Sequence, residues 1–144
     1  MSLEIVHARL SFLEQVLQDL KPHVDEARSE QEKAHYEIER QVQLAVDLSS
    51  VIGRRILTVE GKPAPEASRD VFKALCRSGV ISEELAESMG KASGLGTLLA
   101  PEQGELHYAL FFRGLPDGYR AFVEFAESAR RFLGPIPGGQ KGTG

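Results

Sequence analysis

The chain has no tryptophan, no asparagine and a single cysteine, Cys76, in 144 residues. One thiol makes no intramolecular disulfide, so nothing here calls for an oxidising compartment. Between Leu75 and Arg77 the cysteine reads as a small apolar residue of a helix. No apolar run approaches the roughly 18 residues that mark a membrane span. The opening Met1-Ser2-Leu3-Glu4-Ile5 lacks both the basic and the continuous apolar part of a secretion signal. A cytoplasmic protein is therefore expected. An excess of positive charge is also missing: 17 basic against 21 acidic residues leave a net charge of −4. The chain as a whole lacks the electrostatic footprint of a nucleic-acid binder, so RNA is not an expected partner, although a local basic groove remains compatible with that balance. Few labile amides, with arginine in excess of lysine, hint at a thermophilic source.

What is present is ordinary for a globular protein, with 42% hydrophobic and 26% charged residues. The length suits one core. Residues 1–133 are read as a single helical domain and 134–144, rich in glycine and proline, as a flexible tail.

Every periodic segment follows helical spacing. Leu3, Val6, Leu10, Leu13, Leu17, Leu20 and Val24 form one stripe, which Ile5, Phe12 and Val16 widen; Pro22 should loosen or bend the last turn. The charged stretch from Val24 to Lys33 reads as a connector. A second long helix is expected from about Gln31 to Val59, with Ile38, Val42, Ala45, Leu48, Ile52 and Ile56 inward and Tyr36, Leu44, Val51 and Leu57 extending its burial. Ser49, Ser50 and Gly53 place small side chains at mid-helix, where another helix should approach closely. Gly61-Lys62-Pro63-Ala64-Pro65 breaks the pattern. A short helix through Val71, Phe72 and Leu75 follows and ends near Gly79. Ser82 then caps another through Leu85 and Met89, which Gly90, Gly94, Gly96 and Pro101 compromise. Two last helices are expected, one through Leu106 and Phe111 stopping at Gly114, the other starting at Pro116 or Asp117 and carrying Phe122, Phe125, Ala129 and Phe132.

Little in the pattern carries chemistry. The four histidines, His7, His23, His35 and His107, have no i, i+4 pairing and no cysteine cluster, so neither zinc nor a cofactor is expected. Gly94-Leu95-Gly96 lacks the Lys-Ser or Lys-Thr of a phosphate loop. Ser49-Ser50 has no base nearby in sequence. Glu37 and Glu39 sit two apart on a helix and point in different directions. Arg54-Arg55 and Arg130-Arg131 are the adjacent basic pairs; they suit phosphate, but read more simply as surface or helix-end charges.

The order of the pieces is more telling than any one of them. The leucine-rich first helix, Glu39-Arg40-Gln41-Val42-Gln43-Leu44-Ala45-Val46-Asp47, Val71-Phe72-Lys73-Ala74-Leu75, Gly79 to Leu85 and Leu106-His107-Tyr108-Ala109-Leu110 together resemble the HepT-like family, a branch of the helical HEPN superfamily. That family carries a Gly-Phe-Arg-Asn run whose Arg is followed, after four to six intervening residues, by His, any residue and Tyr. Aligned on Gly94, the Arg position holds Gly96, the His position Pro101 and the Tyr position Gln103. No other stretch supplies the motif. Arg28 precedes His35 at a suitable distance, but Tyr36 comes one residue too early; His107 is followed directly by Tyr108, with no arginine closer upstream than Arg77.

The resemblance implies an all-α, four- to five-helix up-and-down bundle that forms a homodimer and is encoded beside a minimal nucleotidyltransferase. Active members are ribonuclease toxins silenced by nucleotide addition to the motif tyrosine. With no catalytic residues at the motif positions, the resemblance implies a noncatalytic interaction protein, a partner of a minimal nucleotidyltransferase; the alternative is a ribonuclease toxin that uses a non-standard site.

Overall fold

The computed structural model describes residues 3–99 and 104–135. Every regular element among them is a helix: α1 (Leu3–Val24), α2 (Arg28–Lys33), α3 (His35–Val59), α4 (Ser68–Arg77), α5 (Glu83–Gly94), a 3-10 helix (Leu95–Leu99) and α6 (Gly104–Leu133). Five longer helices and the short α2 make the all-α bundle expected. None is long and apolar enough to cross a membrane. The tail read from the sequence lies, from residue 136 on, outside the described residues.

α1 buries Val6, Leu10, Leu13, Leu17, Leu20 and Val24 against α3 and α6, as its spacing requires. Ile5 and Phe12 do not join this face. They remain 47% and 50% exposed, because neighbours flank α1 on its core side only and these positions point away from them. Pro22 does not end α1, which runs on to Val24. At the corner after it, the buried Gln31 donates from Nε2 to the carbonyl of His23 at 2.9 Å, tying α2 to the end of α1.

α3 is buried along most of its length, with Ile38, Val42, Ala45, Ile52 and Ile56 fully enclosed. Tyr36 departs from the expectation of burial: it is 78% exposed, because the first turn of α3 projects past the core and its ring rests on His35 instead. The small residues behave as expected. A Cβ added to Gly53 would lie 2.7 Å from Val71 Cγ1 and 3.0 Å from Leu75 Cδ1, so α4 packs directly on that surface. Beside it the Ser50 and Ser68 hydroxyls meet at 2.6 Å. Ser82 caps α5, its Oγ accepting from the Leu85 N–H at 3.0 Å. Gly79 makes the preceding turn with φ +80, a conformation natural to glycine.

The largest departure from the sequence reading is α6. Two helices were expected, broken at Gly114 and Pro116; one helix runs from Gly104 to Leu133 with Pro116 inside it. Proline removes one backbone donor and disfavours the preceding turn, yet both halves are held in line by burial. Phe111, Phe112 and Leu115 lie before and around the proline, Ala121, Phe122 and Phe125 after it, all in the continuous core shared by α1, α3, α4, α5 and α6. Gly114, expected to end a helix, instead forms a groove with Gly118. Cβ atoms added at Gly114 and Gly118 would stand 3.0 Å from Leu95 Cδ2 and 2.6 Å from Leu95 Cδ1, so Leu95 sits between them as a key in a slot.

α1 and α6 are also joined by a polar contact. Arg130 reaches Glu14 through two hydrogen bonds, of 2.6 and 3.3 Å, and approaches Nδ1 of His7 at 3.3 Å. His7 is only 2% exposed, and its Nε2 has no hydrogen-bond partner among the described residues. Burial, with Arg130 adding to it, holds the imidazole below its ordinary pKa.

Two outcomes follow from this packing. Gly118→Ala should cost about 1–3 kcal/mol by overfilling the slot, whereas Gly94→Ala, which meets nothing within 4 Å, should be neutral or stabilise by up to about 1 kcal/mol; urea unfolding of the two variants compares them directly. For His7, the unfolded chain takes up a proton near pH 6.5 while the folded chain resists it, so the unfolded state binds more protons and stability falls as pH drops below about 6.5. His7→Leu should flatten that dependence between pH 7.5 and 5, as read from denaturation midpoints.

Candidate functional site

The segment that the resemblance aligns with the family motif begins where α5 ends at Gly94 and continues as the 3-10 helix. Leu95 anchors it to α6, and Thr97 Oγ1 closes it by donating to the Gly94 carbonyl at 2.7 Å. Gly96 faces α3. A Cβ there would lie 3.2 Å from Oε1 of Gln43, whose Nε2 donates to Asp47 Oδ1 at 3.3 Å. The surroundings of Gly96 are thus an amide backed by a carboxylate, with no cation among these contacts. Pro101 and Gln103 lie outside the described residues.

A cluster that the sequence reading did not assemble lies where α3 and α6 begin. Glu39 Oε2 accepts from the Tyr108 hydroxyl at 2.6 Å and pairs with His35 Nδ1 at 2.7 Å. Tyr36 packs on His35 with ring centroids 3.9 Å apart, and Tyr108 meets the same imidazole edge-on at 5.7 Å. Burial, then the hydrogen bond and charge of Glu39, push the Tyr108 hydroxyl well above its ordinary pKa. It is therefore a fixed donor at any physiological pH. Arg28 lies over the Phe112 ring at 4.6 Å and pairs with Glu32 at 3.6 Å. The i, i+4 pairing of His35 with Glu39 was visible in the sequence. Tyr108, sixty-nine positions further along the chain, was not.

The basic pairs carry structural contacts. Arg54 donates to the carbonyls of Pro65 and Glu66 at 3.1 and 2.7 Å, holding the loop before α4. Arg130 is engaged by Glu14, and Arg131 donates to Ser128 Oγ at 3.2 Å. Among the described residues no group of three or more His, Cys, Asp or Glu side chains is placed to hold a metal ion.

The fold is shared with solved toxin structures. A tri-AMPylated HEPN toxin of Shewanella oneidensis, in complex with an MNT antitoxin, superposes with a TM-score of 0.77 at 16% identity over 91% of this chain and 99% of that one. A mutant MntA-HpeT toxin-antitoxin gives 0.76 at 15% identity over 88% and 98%. A toxin-antitoxin with AMP-PNP gives 0.76 at 14% over 90% and 98%. No curated protein sequence matches the chain. At these identities the likeness establishes the fold, and the sequence supplies the rest: the profile described as ribonuclease HepT-like matches residues 8–129. The chain belongs to the HepT-like family.

Proposed function

We propose that this protein is a noncatalytic member of its family, a homodimer that acts by binding a minimal nucleotidyltransferase within the toxin–antitoxin lineage. The observation that carries this reading is Gly96. It occupies the place where active relatives are expected to hold an arginine, with Gln43 and Asp47 beside it. Phosphodiester cleavage needs a group to move protons and positive charge to stabilise the transition state. A glycine flanked by an amide and a carboxylate offers neither. What remains is the scaffold, which matches toxins solved together with MNT antitoxins over nearly their whole length.

The cluster of His35, Glu39 and Tyr108 favours a second reading, a ribonuclease with a non-standard site, since a carboxylate-oriented imidazole is a common general base. It ranks second for two reasons. Glu39 Oε2 is shared with Tyr108, which makes the carboxylate a strut between α3 and α6. The nearby cation, Arg28, is already committed to Phe112 and Glu32.

Co-expression with a minimal nucleotidyltransferase encoded beside it should yield one complex on gel filtration. Separate elution of the two proteins at micromolar concentration would overturn the partner assignment. Alone, the protein should scatter light as about twice the chain's 15.8 kDa, with a second copy covering Ile5 and Phe12. A monomer would contradict the dimer, and Phe12→Glu should shift a true dimer toward one.

A further inference from the structure

The chain's negative balance conceals a local reversal. α4 carries Arg69, Lys73 and Arg77 at i, i+4 and i+8, on successive turns about 6 Å apart along the axis. All three line a groove of about 500 Å³ between α4 and α5, and Lys91 joins them from the α5 wall. Two carboxylates, Glu83 and Glu87, share the lining, and Glu87 pairs with Lys91 at 3.7 Å. The three α4 cations have no ion-pair or hydrogen-bond partner among the described residues. That sets them apart from Arg28, Arg54, Arg120, Arg130 and Arg131, each of which is held by an acceptor of the protein itself. Cys76, Ala86 and Gly90 complete the lining. Lacking a side chain, Gly90 lets Arg69 lie across it: an added Cβ would contact Arg69 Cγ, Cζ and Nε at 3.6 to 3.7 Å.

We propose that this groove binds a phosphate-bearing ligand of nucleotide size, its phosphates held by Arg69, Lys73 and Arg77. Guanidinium groups match phosphate oxygens bidentately, and a lysine between them supplies a point charge. The size of the groove falls within the range of small-molecule sites. A docked protein would instead need roughly 800 Å² of surface on each partner. Among the described residues no aromatic ring lines the groove, so the ligand is gripped by its phosphates and its base is not stacked. The site lies on α4 and α5, ahead of the motif segment that begins at Gly94, and does not depend on the nucleotidyltransferase partner.

Cys76 is the chain's one cysteine, partly exposed and in the groove wall, so it reports occupancy without any mutation. N-ethylmaleimide labelling of the native protein at low salt, followed by mass spectrometry, should slow at least fivefold with ADP, tripolyphosphate or a twelve-nucleotide oligouridylate, and not with adenosine. Protection by ADP and tripolyphosphate identifies a free nucleotide as the source; protection by the oligonucleotide alone overturns the nucleotide-sized ligand in favour of a strand. Calorimetry with the same compounds provides a second reading should Cys76 label slowly. Lys73→Gln and Arg77→Gln should each weaken binding about tenfold, with Lys21→Gln on α1 unchanged. The proposal is overturned if no phosphate compound binds at low salt, if polyglutamate protects Cys76 equally well, or if affinity is indifferent to Lys73→Gln and Arg77→Gln.

Discussion

The seating of Leu95 between Gly114 and Gly118 is the contact on which the arrangement around the motif segment depends. It fixes the point at which α5 gives way to the 3-10 helix and clamps that helix onto α6. From there Gly96 is carried against Gln43 of α3. One apolar side chain thus ties together the helix that ends, the helix that follows and the central helix. The two glycines let Leu95 approach the α6 backbone, and that close packing compensates for their low helix propensity. The same contact, with the phenylalanines on either side, helps α6 survive Pro116.

Much of this fold could be read from the sequence because its signals are local. The α1 stripe from Val6 to Val24, the Ser82 cap and the small surface at Ser50 and Gly53 each declare themselves within a few turns, and each is found in place. The continuity of α6 could not be read this way. Gly114 and Pro116 are breakers by local grammar, and only the tertiary partner Leu95, far back in the chain, turns Gly114 and Gly118 into a docking slot. Tyr36, Ile5 and Phe12 show the converse: an apolar residue at helical spacing predicts burial only where a neighbouring helix arrives to cover it.

The candidate site divides in the same manner. The placing of Gly96, Pro101 and Gln103 at the motif positions comes from the resemblance alone and needed no structure. That Gly96 faces an amide and a carboxylate came from packing, as did the linkage of Glu39 to Tyr108 across two helices. Net charge was the least informative measure. A total of −4 is an average over a surface on which the three α4 cations stand together with no ion-pair partner among the described residues.

The claim at the centre of this account is that the scaffold persists without the chemistry. Its most direct test is incubation of the purified protein with labelled RNA in the presence of EDTA. Cleavage should not exceed that of a blank, and Pro101→His alone should add nothing, because Gly96 still supplies no positive charge. RNA cleavage that copurifies with the protein and is abolished by His35→Ala would contradict the account and place a working site at the start of α3.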